Sequence, residues 1–214
     1  MGVPVLLTPS WLIFAAWIVL LYQPLVRDRV GDGTAFGLGA ALAVMLLGSV
    51  LLHEIAHCVV ARSFGLPVRS ITITLLSGRT EITEPPQTPA REYAVAISGP
   101  MVSLLLTACG VAAFHAFSDG SLAREVCLNL AITNGAITVV NLLPGLPLDG
   151  GRVLRALVWK VTGDPHRSTR AAAWAGRLVA LVVVPVLLLG VLPELGVSSL
   201  SLSTVVFTGL VATF

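Results

Sequence analysis

The chain has 214 residues, of which 56% are hydrophobic and only 11% are charged, and its mean hydropathy is +0.92. A soluble domain carries about 25% charged residues, so this composition excludes an ordinary soluble enzyme and predicts a protein embedded in a lipid bilayer. The formal net charge of +2 is too small to indicate nucleic-acid binding, and no nucleic-acid partner is expected. The length predicts one membrane domain over residues 1–214.

Apolar runs long enough to cross a bilayer recur along the chain, since a spanning helix needs about 20 mostly apolar residues. The pattern predicts about six such helices, so the fold class is an all-α polytopic membrane protein. The predicted spans are 10–26, 37–63, 91–117, 123–147, 169–191 and 196–214. Because the chain stops at Phe214 without a polar flank, we expect a C-terminal regulatory domain to be absent or truncated.

The connection between the second and third spans has the pattern of a small β-hairpin. Residues 69–75 alternate polar and apolar side chains and are rich in β-branched residues, which is typical of a strand. Gly78 can form a turn, and residues 80–83 can return as a second strand. Two roles stay open for this hairpin. It is a structural element at the membrane surface, or its first strand is an edge strand on which Ile71 and Ile73 bind an extended substrate.

Basic residues beside the spans predict the orientation, because cytoplasmic loops carry an excess of Lys and Arg. Ten basic residues lie in or beside the 2–3 and 4–5 connections, and three lie on the opposite side. The ten are Arg62, Arg69, Arg79, Arg91, Arg152, Arg155, Lys160, Arg167, Arg170 and Arg177, and the three are Arg27, Arg29 and Arg124. We therefore expect a multi-pass plasma-membrane protein whose N-terminus and active-site end face the cytoplasm.

A candidate metal-binding motif, His53-Glu54-Ile55-Ala56-His57, lies near the inner end of the second span. Two histidines four residues apart share one face of a helix, so both can reach one metal ion. The glutamate beside the first histidine can then act as general base on a water molecule. Ionisable residues are costly inside a bilayer, so the cluster predicts zinc-dependent hydrolysis within the membrane. The alternative is a satisfied pair of core histidines.

A catalytic zinc ion usually has three protein ligands, and Asp149 is the strongest candidate for the third. It lies in the segment 141–152, where two prolines and three glycines break the helix. Irregular backbone at membrane depth is tolerated only inside protein or along a wet cavity. The alternative role of Asp149 is to cap a helix that begins near Gly151. Asn141 can hold the substrate carbonyl or its oxyanion, or it can form an interhelical hydrogen bond.

A group of small residues in the third span, Ser98-Gly99-Pro100 with Ser103, predicts a site of close packing against a neighbouring helix. Together with His53 to His57 and Asn141 to Gly151, in this order and spacing, it resembles the site-2 protease family of intramembrane zinc metalloproteases. The resemblance covers nearly the whole chain. Related proteins often have a glycine pair after the first hairpin strand, where this chain has Ser77-Gly78-Arg79.

The resemblance implies a role for each motif residue. His53, His57 and Asp149 would bind one Zn²⁺ per chain, and Glu54 would activate water. Asn141 would handle the substrate. Pro147 would shape the segment that carries the aspartate. The layout resembles the compact prokaryotic branch without a PDZ domain, which often carries a C-terminal pair of nucleotide-sensing domains.

The predicted function is therefore a zinc-dependent intramembrane endopeptidase. It would hydrolyse a peptide bond within or next to a transmembrane segment of another membrane protein, in regulated intramembrane proteolysis. The resemblance implies substrates such as anti-sigma factors, precursor sigma factors or signal-peptide remnants. The alternative is a zinc-binding membrane protein that does not cleave, either a transporter or a pseudoprotease. The presence of Glu54 beside the candidate ligands favours the protease.

Overall fold

The structure, a computed structural model, describes residues 2–74 and 77–186, without the side chains of residues 183–186. This part of the chain contains six helices and three short strands. In chain order they are β1 (Val5–Leu7), α1 (Pro9–Val30), α2 (Asp32–Ser63), β2 (Val68–Ile73), β3 (Gly78–Ile82), α3 (Pro89–Ala116), α4 (Leu122–Asn141), α5 (Asp149–Thr162) and α6 (Pro165–Val186). The chain divides into two compact units, Met1–Val140 and Asn141–Phe214.

The mostly helical fold, with a small sheet between α2 and α3, confirms the predicted fold class. Among the described residues, α1, α2 and α3 are long and apolar enough to cross a membrane, and they match the first three predicted spans. Helices α4 and α6 overlap the predicted spans 123–147 and 169–191, whose membrane crossing stays a prediction. The predicted span 196–214 and the end of 169–191 lie outside the described residues.

Helices α1 and α2 form a helical hairpin that turns at Gly31. This glycine has φ = +78°, a left-handed conformation that a residue without Cβ adopts at little cost. On the first half of α2, the small residues Ala35, Gly39 and Ala43 are buried at four-residue spacing. A Cβ at Gly39 would lie only 3.0 Å from the Cα of Val19, so the two backbones approach closely there.

The second half of α2 has polar residues on its buried face and apolar residues on its exposed faces. Ser49, His53 and His57 are buried at four-residue spacing, whereas Leu52 and Val59 are 46% and 59% exposed. A soluble helix has the opposite arrangement. Polar groups that face the interior of a helix bundle while apolar groups face outward are typical of functional sites in membrane helices.

The sheet has the order β1-β2-β3, with β1 parallel to β2 and β3 antiparallel to it. The predicted hairpin is confirmed, but the sequence analysis did not predict β1. Because β2 is paired on both sides, it is the central strand, and its residues Ile71 and Ile73 are only 2% and 1% exposed. The expectation that strand 70–75 is an edge strand is therefore wrong, whereas substrate binding by Ile71 and Ile73 stays a prediction. Leu75 lies outside the described residues.

Helix α5 lies in the stretch that the span pattern leaves as the connection between the fourth and fifth helices. It begins at Asp149, after the non-helical segment 142–148, and ends at Gly163, which has φ = +71°. Its apolar side includes Leu157 and Val161, which are 50% and 86% exposed. The helix is amphipathic, with Leu157 and Val161 one turn apart on its apolar side, which distinguishes it from α2, whose exposed faces are apolar throughout most of its length.

Candidate active site and metal centre

The two motif histidines lie one turn apart on α2 and are almost fully buried, with 4% of His53 and 3% of His57 exposed. Their Nε2 atoms lie 3.2 Å apart. Two nitrogen ligands of a tetrahedral zinc ion, each at about 2.0–2.1 Å from the metal, lie about 3.3 Å from one another. The histidine pair therefore already has the nitrogen–nitrogen separation that a zinc ion requires.

Hydrogen bonds at the Nδ1 atoms hold both imidazole rings in place, and at His57 they also fix the tautomer. The Nδ1 atom of His57 lies 2.7 Å from the carbonyl oxygen of Val95, and a carbonyl can only accept, so Nδ1 carries the proton. In a neutral imidazole the Nε2 atom then holds the lone pair. The Nδ1 atom of His53 forms a 2.9 Å hydrogen bond with the hydroxyl of Ser103, which is fully buried. Such outer partners orient metal-binding histidines.

Helix α3 leaves a space beside the two Nε2 atoms at Gly99. A Cβ on Gly99 would lie closer than 3.0 Å to the Nε2 atoms of both His53 and His57, which real Cβ atoms essentially never do. The backbone of α3 at Gly99 therefore forms a close-fitting cradle against which both imidazole rings pack. Two buried imidazoles whose Nε2 atoms face one another and whose Nδ1 atoms are hydrogen-bonded fit a zinc ion, and α3 supplies both the cradle and the outer hydrogen bonds.

Glu54, which follows His53 on α2, is also buried, with 6% of the residue exposed. Its Oε2 atom accepts a 2.7 Å hydrogen bond from the hydroxyl of Thr80 on β3. Gly78, at the start of the same strand, also lies against this side chain. A buried carboxyl group needs such partners, because burial without a hydrogen bond is costly. The hairpin thus holds the residue that the sequence analysis predicted as general base.

The second motif lies in the second unit, around the start of α5. Asp149 is the first residue of that helix and is half-buried. The N-cap is Leu148, so the helix begins at Asp149, and the alternative that Asp149 caps a helix beginning near Gly151 is wrong. A carboxylate in the first turn is favoured by the helix dipole. Asn141 is the half-buried last residue of α4, and Pro147 is exposed and follows a cis peptide bond.

Glycines fix the shape of the segment that leads to Asp149. Residues 142–148 fold back onto the first turn of α5, and a Cβ on Gly150 would overlap the carbonyl oxygen of Leu142. The N–H of Leu146 donates a 3.2 Å hydrogen bond to the carbonyl of Ala172 on α6. The glycines that interrupt the helix therefore also permit the close backbone contacts that hold the non-helical segment in place.

The structure thus brings His53, Glu54 and His57 together within the first unit, whereas Ile71 and Ile73 are buried in the sheet. Asn141, Pro147 and Asp149 lie in the second unit. The sequence analysis predicted close packing at Ser98-Gly99-Pro100 and Ser103, and α3 does approach α2 there. It did not predict that Gly99 and Ser103 contact the histidines, nor that Gly78 and Thr80 contact Glu54. No spacing rule signals these contacts, because they join different elements.

Comparisons with known proteins agree with this geometry. Residues 41–123 and 120–185 match Peptidase family M50. A protein of Synechocystis sp., named as a candidate zinc metalloprotease, is 34% identical over 201 residues, which are 92% of this chain and 53% of that protein. A Mycobacterium tuberculosis protein named in the same way is 44% identical over 150 residues, which are 69% of this chain and 38% of that protein.

The solved structure of the site-2 protease from Methanocaldococcus jannaschii has a TM-score of 0.63 and 28% sequence identity to this chain. The match covers 89% of this chain and 83% of that one. The chain spans about half the length of the Synechocystis relative and less of the Mycobacterium relative. Three helices able to span a bilayer, within a family of membrane proteases, indicate a membrane protein. The match to more than half of its residues shows that the chain belongs to Peptidase family M50, the site-2 protease family.

Proposed function

We propose that this chain is a zinc-dependent intramembrane endopeptidase that hydrolyses a peptide bond within or next to a transmembrane segment of another membrane protein. The observation that carries the proposal is the buried pair of Nε2 atoms of His53 and His57, 3.2 Å apart, on the same stretch of α2 as the buried Glu54. Each Nδ1 atom has its own hydrogen-bond partner, so the two facing Nε2 atoms fit a shared metal ion better than a histidine pair that serves only packing. The names of the relatives, zinc metalloproteases, support the same chemistry.

We assign His53, His57 and Asp149 as the ligands of one Zn²⁺ per chain. Two imidazoles and one carboxylate are a common donor set for catalytic zinc, and they leave a position for water or substrate. Support for Asp149 comes from the motif resemblance and from its place at the start of α5, on a segment fixed by glycine contacts. Bound zinc supplies Lewis acidity, which makes water acidic enough to lose a proton near neutral pH.

The protein's own residues supply the proton transfers. Glu54 takes the proton from the attacking water at its carboxylate and delivers it to the amine that leaves the cleaved bond. The side-chain amide of Asn141 donates a hydrogen bond to the substrate carbonyl oxygen, where negative charge develops. Ser103 and the Val95 carbonyl hold the two imidazole rings in place throughout.

The substrate is a transmembrane segment of another protein, which must unwind locally because a helix keeps its backbone groups hydrogen-bonded to one another. In the part of the sheet that the structure describes, β2 is paired on both sides and β3 on one. We therefore assign capture of the extended substrate to the outer edge of β3 instead of Ile71 and Ile73 on β2. Pro147 contributes by shaping the segment before Asp149.

We further propose that the protein is a multi-pass protein of a prokaryotic plasma membrane with its N-terminus and active-site end in the cytoplasm. The excess of basic residues in the 2–3 and 4–5 connections supports this orientation. Anti-sigma factors, precursor sigma factors and signal-peptide remnants are the candidate substrates. Cleavage of any of them would release a signalling fragment or clear a remnant from the membrane.

The test is a paired measurement of zinc content and of cleavage of a synthetic transmembrane substrate by the wild type and by Glu54→Gln. We expect one zinc ion per chain in both proteins, and loss of cleavage by about 100-fold or more in the variant, because a general base contributes a factor of that size. If both bind zinc and neither cleaves any substrate, the chain is a pseudoprotease or a transporter. If neither binds zinc, the assignment of the ligands is wrong.

A further inference from the structure

Strand β3 contacts the Glu54 side chain at Gly78 and Thr80, two positions that share one face of the strand. Both contacts lie within the first unit and join the hairpin to α2. Neither residue belongs to the metal-binding motifs. Both reach the candidate general base from the described part of the hairpin.

Thr80 provides a hydrogen bond to the carboxyl group. Its hydroxyl lies 2.7 Å from the Oε2 atom of Glu54 and 3.0 Å from the Glu54 carbonyl oxygen. A hydroxyl has one proton to donate, and the carboxyl oxygen is both nearer and the better acceptor. The Thr80 hydroxyl therefore donates to Oε2 and restrains the torsion that sets the plane of the carboxyl group.

Gly78 provides the room in which this carboxyl group lies. A Cβ at position 78 would come within 2.5 Å of the Glu54 Oε1 atom and 2.6 Å of its Cδ atom. No side chain is therefore compatible with the observed position of Glu54. Unlike several other glycines of the chain, Gly78 does not have a positive φ, so the reason for glycine here is space and not backbone conformation.

We propose that β3 is a positioning element for the general base, in which Thr80 holds one carboxyl oxygen and Gly78 leaves the space for the other. The inference rests on the proposed function, in which Glu54 moves protons. A glutamate side chain has several rotamers, and holding it in one of them removes the cost of orienting it at the moment of proton transfer. Thr80 and Gly78 act through Glu54 and are positioning residues.

Two variants at position 80 separate the hydroxyl from the rest of the side chain. Thr80→Val keeps the shape and removes the hydrogen bond, whereas Thr80→Ser keeps the hydroxyl and removes the methyl group. We expect Thr80→Val to lower kcat by about 10- to 100-fold, the usual scale for a displaced catalytic group, with KM within about twofold and zinc content unchanged. Thr80→Ser should stay within about threefold of the wild type.

Two kinetic outcomes would overturn the proposal. Equal losses of kcat in the two variants would mean that the methyl group, and not the hydroxyl, matters. A raised KM with unchanged kcat would mean that Thr80 binds substrate and does not position Glu54.

Gly78→Ala gives a second test, because its Cβ displaces the carboxyl group directly. It should lower kcat and leave zinc bound, whereas Gly48→Ala, on α2 with no atom within 4 Å of the added Cβ, should change neither.

A measurement without catalysis separates this inference from the proposed function. Thr80→Val should lower the thermal midpoint by about 2–4 °C in the wild-type background and by less when Glu54 is already Ala, because only the longer contact with the carbonyl oxygen of residue 54 is then left to lose. An equal decrease in both backgrounds would overturn the contact between β3 and Glu54. If the wild type cleaves nothing but this cycle shows coupling, the proposed function fails while the positioning contact stands.

Discussion

The chain presents its candidate zinc ligands in two contrasting ways. On α2 the ligands His53 and His57 lie on an unbroken helix, and their positions follow from helical periodicity. In the segment 141–152 the candidate ligand Asp149 follows a broken helix, and its position depends on backbone contacts that only glycine permits. The first region depends on the pattern of side chains and the second on the absence of side chains. This contrast predicts which substitutions each region tolerates.

Removing a ligand should have the largest effect, whichever region supplies it. We expect His57→Ala and Asp149→Ala each to lower zinc affinity by more than about 100-fold, since loss of even an outer-shell partner costs 10- to 100-fold. Zinc content of the purified proteins, measured by metal analysis, tests this. His166→Ala is the control, because His166 is exposed at the start of α6. If the Asp149→Ala protein retained its zinc, Asp149 would not be a ligand and the second region would not belong to the metal site.

The next largest effect should come from Gly99→Ala. The new Cβ would occupy the space next to both Nε2 atoms, so we expect zinc affinity to decrease by about tenfold or more while the protein still folds. Gly48→Ala, the same change at an open position on α2, should keep full zinc content. Circular dichroism and metal analysis of both variants provide the test. Normal zinc binding by Gly99→Ala would show that the cradle is not the metal site.

The smallest expected effect concerns Asp164, in the turn before α6 and outside both regions. The backbone N–H groups of Arg167 and His166 donate to its carboxylate, and with the nearby Arg167 charge they lower the pKa of Asp164 below its ordinary 3.8. A carboxyl group whose pKa is lower in the folded protein stabilises the fold above its unfolded pKa, and this contribution is lost as the pH falls through the folded pKa.

Asp164→Asn should therefore weaken the dependence of the thermal midpoint on pH below about pH 4 and leave zinc binding at neutral pH unchanged. Thermal melts of both proteins in detergent between pH 5 and pH 3 provide the measurement. Identical profiles would show that the turn contributes nothing to acid stability.

Much of the architecture followed from the sequence because it depends on local patterns. Apolar runs predicted the three helices α1, α2 and α3, and alternation of β-branched residues predicted the hairpin. The HExxH spacing predicted the facing histidines of α2. The prolines and glycines of the segment 141–152 predicted a break in the helix, although α4 ends at Asn141 and the predicted span ran to residue 147. Each of these features depends on neighbours in the chain.

The rest depends on contacts between elements, which local patterns do not encode. Strand β1 has three residues, too few for an alternating pattern, and pairing it with β2 makes Ile71 a central residue instead of an edge residue. The sequence around Thr80 is that of an ordinary strand, and only the folded structure shows that its hydroxyl donates a hydrogen bond to Glu54. Helix α5 lies in the predicted 4–5 connection, where the alternative role of Asp149 already included a helix beginning near Gly151, and the exposed pair Leu157 and Val161 has amphipathic spacing.

If α1 and α2 both cross the membrane, as we propose, the pairing of β1 with β2 also constrains how the chain enters it during synthesis. Val5 pairs with Ile71, and the hydroxyl and N–H of Thr8 both donate to the Ile73 carbonyl. Strand β1 can therefore pair only after the ribosome has synthesised β2, which follows α2 in the chain. Export of the N-terminus to the far side would leave the two strands separated by the bilayer. The sheet therefore closes only if α1 and α2 insert as a hairpin, with both of its ends retained on one side.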